Sequence, residues 1–178
     1  LIDGGNISGA TSSTLTISNV QAGDQAPNYN VVVTSLSGGC AQYNSSNVSL
    51  SVNPTPVVNP VTDQTFCNGT SVSIPFAGVA TTYNWTSDNT SIGLGATSGT
   101  TSNNLSFTAT NTGNAPTVAN ITVTPTYTSG GTTCTGSSIT FTITVKPTAN
   151  VNTVDNQIVC NSANTTAINF TNPETGGT

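Results

Sequence analysis

The chain has 178 residues, of which 4% are charged, and it contains no His and no Met. One basic residue, Lys146, faces six acidic residues, giving a net charge of −5. Nucleic acids and anionic membranes require a basic footprint, which a lone Lys does not provide. Without His, the usual groups for Ser-His, general-base and most zinc chemistry are missing. We therefore expect no enzyme, no metal site and no nucleic-acid partner.

Two other absences bear on the class of protein. No apolar run approaches the roughly 18 residues that span a bilayer, so direct membrane insertion is not expected. No signal peptide opens the chain, whose first residue is Leu. We expect an excerpt or a processed product.

Alternation of apolar and small polar residues predicts β-strands throughout the chain. Residues 138–145 are the clearest case, because every odd position is apolar and every even position is Ser or Thr. A period of two places one face in a core and the other in water. In chain order, apolar residues with the same spacing are Leu15, Ile17, Val48, Leu50, Val52, Val72, Ile74, Phe76, Ile121, Val123, Phe141 and Ile143. No segment shows helical periodicity, so we predict an all-β fold.

The sequence repeats with a period of about 93 residues. Val52-Asn53-Pro54-Thr55 recurs as Val145-Lys146-Pro147-Thr148. The same shift relates Asn59, Val61, Gln64, Cys67 and Asn68 to Asn152, Val154, Gln157, Cys160 and Asn161. Ile74 and Phe76 reappear one place later, as Ile168 and Phe170. Such a period suits one β-sandwich of about seven strands.

The repeat predicts three segments. Residues 54–146 form a complete module, 1–53 the last part of a preceding module and 147–178 the first part of a following one. Proline-bearing linkers are expected to hold the modules extended. One interpretation of the partial modules is a polymer in which 147–178 of one subunit completes 1–53 of the next. The joined module would lack the Tyr83-Asn84-Trp85 strand, so we prefer an excerpt from a longer tandem array.

Residues 1–50 resemble the end of an I-set-like immunoglobulin domain. The resemblance is carried by Leu15-Thr16-Ile17-Ser18-Asn19-Val20, by Asp24 and by Tyr29-Asn30-Val31-Val32-Val33. It implies that Tyr29 is a structural corner tyrosine whose hydroxyl bonds a backbone carbonyl. Asp24 is expected to cap the preceding turn. Val31 stands where the inter-sheet Cys usually lies, so the buried disulfide should be absent.

Residues 54–146 resemble the PKD-like repeats of large surface adhesins in Bacteroidota-type bacteria. The supporting residues are Asp63-Gln64-Thr65-Phe66-Cys67-Asn68-Gly69, Tyr83-Asn84-Trp85, Ile92-Gly93-Leu94, Ile121-Thr122-Val123-Thr124-Pro125 and Cys134. The resemblance implies a segment of a very long extracellular protein, often exported by the type IX route. It implies a spacer or adhesive stalk and does not identify a ligand.

Trp85 has two interpretations. Its place in a Tyr-x-Trp strand is typical of the core Trp of a sandwich, with Tyr83 at the sandwich edge. An exposed Trp would instead favour a carbohydrate platform.

The acidic residues provide no local calcium loop, because no two of the six lie within four positions. Only Asp63 and Asp155 lie near module ends, so calcium is a minor alternative and we expect no cofactor. Lys146 lies at a linker, which argues against an isopeptide crosslink in a core.

The four cysteines recur in pairs. Cys40 and Cys134 precede a final strand, in the predicted loop between the sixth and seventh strands. Cys67 and Cys160 precede the second strand. These loops should lie at opposite ends of a module, too far apart for a bond within it. We predict disulfides between consecutive modules, with free buried thiols as the alternative. Paired cysteines favour an oxidising, extracellular setting.

Together, these observations predict a non-catalytic structural spacer of a giant extracellular adhesin or surface filament. Its partners are neighbouring modules, with glycans or other cells contacted through a distal domain. The alternatives are a self-assembling filament or sheath subunit and a carbohydrate-binding module of a large secreted enzyme.

Overall fold

The computed structural model describes residues 1–34 and 42–175. The chain divides into two compact units, Leu1–Pro54 and Thr55–Thr178. Strands dominate both, and the helices among the described residues are two three-residue 3₁₀ turns, Ala22–Asp24 and Thr90–Ile92. The prediction of an all-β chain is confirmed.

The first unit consists of short antiparallel pairs. Its strands are β1 (Ile7–Ser8), β2 (Thr16–Ile17), β3 (Ala26–Tyr29), β4 (Val32–Val33), β5 (Tyr43–Asn44) and β6 (Val48–Leu50). β1 pairs with β2, β3 with β6 and β4 with β5, so that the last four form one irregular hairpin. No described residue of this unit is buried. The described apolar side chains of this unit are therefore exposed or half-buried.

The second unit contains ten strands among its described residues, 55–175. In chain order they are β7 (Val57–Val58), β8 (Gln64–Cys67), β9 (Ser71–Pro75), β10 (Gly78–Val79), β11 (Thr82–Ser87), β12 (Ser98–Thr101), β13 (Asn104–Thr108), β14 (Thr117–Ser129), β15 (Thr132–Thr135) and β16 (Ile139–Lys146). The large sheet has the order β12-β11-β14-β16-β8, with β15 also paired to β14. β9 pairs with β13, and β7 with β10.

At the start of the second unit, the chain passes from one sheet to another. β7 pairs antiparallel with β10, and six residues later β8 pairs parallel with the last strand, β16. The other ladders of the unit are antiparallel. Parallel pairing between an early and a late strand brings residues distant in sequence to one edge of the sheet.

One core lies between the large sheet and the β9–β13 pair. The buried apolar residues are Val58, Val72, Ile74, Phe76, Tyr83, Ile92, Leu94, Leu105, Ala109, Ala119, Ile121, Val123, Phe141, Ile143 and Val145. The ring centroid of Phe76 lies 5.5 Å from that of Tyr83 and 6.4 Å from that of Phe141. Both are favourable aromatic separations. β16 follows the sequence alternation, with Phe141, Ile143 and Val145 inside.

A two-residue turn and a proline shape β14. Gly130 and Gly131 join β14 to β15 with φ values of 57° and 78°, which the tightest hairpin turns require and which Gly adopts without a Cβ penalty. Pro125, which cannot donate to a ladder, lies where β14 changes its partner from β16 to β15. The missing N–H of Pro125 therefore falls at this change of partner.

Residues 147–175 contain no strand among the positions described. They fold back on themselves through a bond from the Asn152 amide to the Thr171 carbonyl, 2.9 Å long. Gln157 bonds the backbone of Thr166 twice through its side-chain amide, at 2.9 Å each. The part of a following module predicted for 147–178 therefore has no strand at residues 147–175, where side-chain bonds of Gln157 join the two arms. We call residues 151–171 the C-terminal hairpin.

Candidate functional site

The C-terminal end of residues 55–146 is held by hydrogen bonds around Asn68. Cys67, the last residue of β8, lies opposite Lys146 in the parallel ladder. The Asn68 amide donates to the Lys146 carbonyl at 2.9 Å. The Asn68 side chain donates to the Thr148 hydroxyl, also at 2.9 Å. The predicted linker at Pro147-Thr148 is therefore tied to the turn after β8.

The buried residue Asn111 links the backbone segments at this end of the unit. It is 4% exposed. Its side-chain amide donates to the carbonyls of Ala115 and Val145 at 2.8 and 2.7 Å, and its side-chain oxygen accepts from Gly113 at 2.9 Å. Its backbone amide donates to the Asn68 side chain at 2.8 Å. Sequence analysis did not find Asn111, because one Asn among many carries no local signal of burial.

The N-terminal end lies against the other end of β14. Pro56 is buried, and its backbone lies so close to Gly136 that a Cβ at position 136 would overlap the Pro56 carbonyl. The Gly136 amide donates to the Pro125 carbonyl at 3.0 Å. Pro56 is therefore fixed beside Pro125.

The two ends of residues 55–146 are well separated. Pro56 lies beside Pro125, whereas Val145 pairs with Thr117, eight residues away along β14. At the rise of an extended strand, this separation is about 27 Å. The chain thus enters the unit at one end and leaves its large sheet at the other.

The cysteines follow the same division. Cys67 is exposed at the C-terminal end of residues 55–146. Cys134 is half-buried on β15, where it lies opposite Tyr127 of β14. Ten residues of β14 separate Tyr127 from Thr117, or about 33 Å, far beyond the roughly 7 Å limit for a disulfide. Cys67, Cys134 and Cys160 are free thiols. The predicted position of Cys134 in a loop is wrong, because residues 132–135 pair with β14. Cys40 lies outside the described residues.

Tyr83 is buried more deeply, and Trp85 less deeply, than the sequence predicted. Tyr83 is 3% exposed, so its predicted position at the sandwich edge is wrong. Trp85 is half-buried against the core, and its indole lies over Gly99 of the neighbouring strand, where a Cβ would come within 2.7 Å of the ring. The Tyr83 ring packs against the buried Phe76 ring, with centroids 5.5 Å apart, so Tyr83 lies deeper than Trp85.

In the first unit, Tyr29 is half-buried and donates its hydroxyl to the Asp24 carbonyl at 2.7 Å. The Asp24 carboxylate accepts from the Gln21 amide at 2.7 Å and from the Asn6 side chain at 2.8 Å. Both side chains therefore organise the turn before β3. Each makes the bonds expected of a corner tyrosine and a capping acid.

Two acidic residues of the second unit, Asp63 and Asp88, accept hydrogen bonds from backbone amides. Asp63 accepts from the Thr142 amide at 2.7 Å. Asp88 accepts from the side chain and the amide of Asn120, at 2.6 and 2.7 Å. These two bonds, the side-chain bond foremost, lower the pKa of Asp88 below its ordinary value of 3.8. No group of three His, Cys, Asp or Glu side chains suited to a metal occurs among the described residues.

No model of a known protein family matches the chain, and no curated protein matches it. Within residues 1–34 and 42–175, no helix has the length and apolar character to span a bilayer.

Proposed function

We propose that this chain is a non-catalytic spacer segment of a long extracellular adhesin or surface filament, built from tandem immunoglobulin-like modules with a period of about 93 residues. The observation that carries the proposal is the placement of the two ends of residues 55–146, about 27 Å apart along β14. Units whose ends lie far apart lengthen an array with each copy. Many compact domains instead bring their termini close together.

Bonds related by the repeat support the tandem organisation. The Asn59 amide donates to the Ala77 carbonyl at 2.7 Å, and the equivalent Asn152 donates to Thr171 at 2.9 Å. The Thr70 amide donates to Cys67 at 3.2 Å, and the equivalent Ala163 donates to Cys160 at 3.0 Å. The third residue of each four-residue turn has positive φ, 83° at Gly69 and 68° at Ser162.

The tie between Asn68 and Thr148 supports a stiff connection. A linker that begins with Pro and is hydrogen-bonded to the preceding turn samples fewer directions than a free one. A surface rich in hydroxyls and amides, with only 4% charged residues, suits a spacer whose solubility changes little with salt.

A denaturing immunoblot of surface material from the source cells tests this function, with antibody raised against residues 54–146. We expect a band several times larger than a 178-residue chain, lost after protease treatment of intact cells. A band at the size of this chain alone, or one that only lysed cells release, would contradict the spacer function.

A further inference from the structure

We propose that Asn68 is a site of spontaneous deamidation that the folded turn after β8 holds unreactive, so that opening of this turn changes the chain irreversibly. The modification goes beyond the proposed spacer function and does not rest on it. It is carried by the pair Asn68-Gly69 and by the hydrogen bonds that hold this pair.

Asn68-Gly69 is the one Asn-Gly pair in the sequence. In the reaction, the backbone nitrogen of Gly69 attacks the side-chain carbonyl carbon of Asn68 and forms a five-membered succinimide. The bond from that carbon to the side-chain nitrogen breaks, and ammonia leaves with the proton of the Gly69 amide. Water then opens the ring to Asp or to isoaspartate, in which the backbone runs through the former side chain. Gly favours the attack because it has no Cβ to crowd its nitrogen.

The turn keeps the reacting groups apart. Residues 67–70 are closed by a bond from the Thr70 amide to the Cys67 carbonyl, 3.2 Å long. Gly69 has a φ of 83°, whereas the φ of Asn68 is not positive. This combination is typical of a type II turn, in which ψ of the second residue is about +120°. Ring closure needs the Gly69 nitrogen eclipsed with the Asn68 Cβ, which for an L residue requires a ψ of the opposite sign.

Hydrogen bonds hold both reacting groups in this arrangement. The Gly69 amide donates to the Ala109 carbonyl at 2.8 Å, so its nitrogen retains the proton that the attack must remove. The Asn68 Nδ2 donates to the Thr148 hydroxyl at 2.9 Å, and the Asn68 Oδ1 accepts from the Asn111 amide at 2.8 Å. Because Asn68 is only half-buried and Gly69 is exposed, bonding rather than burial protects the pair.

The same bonds determine what the modification changes. Isoaspartate adds one carbon to the backbone between residues 68 and 69, which displaces the amides that donate to Ala109 and Cys67. In Asp, the carboxylate has no N–H to donate to the Thr148 hydroxyl. Refolding does not restore the original contacts, because the ammonia has left. The linker at Pro147-Thr148 is then held less firmly to the turn.

Peptide mapping by mass spectrometry tests the proposal on the full chain, incubated at neutral pH with and without guanidinium chloride. Water enriched in the heavy oxygen isotope labels the product that forms during the incubation. We expect Asn68 to deamidate at least about tenfold faster in the denaturant, because the folded chain must first open the turn and its hydrogen bonds. Equal rates in the two conditions would overturn the proposal.

Variants separate this turn from the stability of the whole unit. Thr148→Val removes the acceptor of the Asn68 side chain and should raise the rate in the folded chain about threefold or more. Thr140→Val makes the same substitution where the hydroxyl contacts Thr122, and Gly99→Ala destabilises the unit away from the turn. Neither control should raise the rate. An equal rise in all three variants, or none in Thr148→Val, would contradict the proposal.

The consequence of the modification is measured after refolding. Chain held in guanidinium chloride until Asn68 has reacted, then returned to buffer, should show a lower urea midpoint by Trp85 fluorescence than untreated chain. Asn68→Gln is the control, because its longer side chain forms a cyclic imide far more slowly, and the same treatment should leave its midpoint unchanged. An unchanged midpoint in the deamidated wild type, or an equal decrease in Asn68→Gln, would overturn the proposal.

Discussion

At the scale of single residues, buried Asn111 joins the loop before β14 to the end of β16. The chain is rich in Asn, yet Asn111 is the one Asn that is buried among the described residues, and both polar atoms of its side chain bond backbone groups. Such bonds stabilise a fold mainly because leaving their partners unsatisfied is costly.

Asn111→Ala should lower the free energy of unfolding by about 2–3 kcal/mol, because it leaves the Val145 carbonyl and the Gly113 amide without their partner. Urea denaturation followed by Trp85 fluorescence measures this loss. Asn114→Ala is the control, since Asn114 is exposed. Equal stability of the two variants would show that Asn111 does not hold this end of the unit.

Asp88 makes the second unit sensitive to acid. The bonds from Asn120 favour the carboxylate in the folded state, so the pKa of Asp88 lies below its value in the unfolded chain. The resulting stabilisation is complete above the ordinary value of 3.8 and is lost as the pH falls through the lowered pKa. With no His in the chain, little change is expected between pH 6 and about 8.

Asp88→Asn should therefore flatten the decline of stability below about pH 4. Urea midpoints measured from pH 7 to pH 2 provide the comparison. Asp155→Asn is the control, because it makes the same change of charge in the exposed hairpin. If the urea midpoint of Asp88→Asn fell below pH 4 as steeply as that of the wild type, Asp88 would not be the source of the acid sensitivity.

At the scale of elements, the ladder of β11 and β12 places the aromatic ring of Trp85 over Gly99. The Trp85 indole occupies the space that a side chain at position 99 would fill. An aromatic residue above a cross-strand Gly covers backbone that would otherwise be exposed to water. The ring therefore needs Gly at that position.

Gly99→Ala should displace the Trp85 ring, lower the free energy of unfolding by about 1–3 kcal/mol and shift the fluorescence emission to the red. Gly95→Ala is the matched control, since a Cβ at position 95 meets no atom within 4 Å. Its stability should equal or slightly exceed that of the wild type. Unchanged emission from Gly99→Ala would mean that the ring does not depend on this contact.

At the scale of the whole molecule, the parallel pairing of β8 with β16 places Cys67 at the C-terminal end, and the hairpin of β14 and β15 places Cys134 at the opposite end. Strand direction alone thus separates the two thiols. Disulfides between consecutive modules remain a prediction.

Oxidation of the full chain should produce no Cys67–Cys134 bond within one copy, because about 33 Å of β14 separates their positions. Peptide mapping by mass spectrometry without reduction, on a mixture of isotopically light and heavy chains, distinguishes bonds within a copy from bonds between copies. Detection of Cys67 joined to Cys134 of the same copy would contradict the strand order described above.

Much of the fold was predictable from local pattern. A period of two in apolar residues depends only on neighbours in the chain, so it identified β16 and the buried positions Phe141 and Ile143. The resemblance of residues 1–50 to an immunoglobulin domain predicted that the Tyr29 hydroxyl bonds a backbone carbonyl, and the structure identifies that carbonyl as the one of Asp24. The recurrence of Cys67-Asn68 as Cys160-Asn161 was visible in the sequence, although the bond from Asn68 to Thr148 was not.

What the sequence determined by itself is the all-β class and the faces of its strands, because alternation follows from backbone geometry within each strand. Only the tertiary structure decided which side chains are buried and which groups pair. Tyr83 lies deeper than Trp85, and Asn111 is buried. Cys134 lies on a strand, and the Gln157 side chain bonds the Thr166 backbone. These outcomes depend on segments far apart in sequence. Whether a side chain is covered is set by the strand that lies opposite it, which no local pattern specifies.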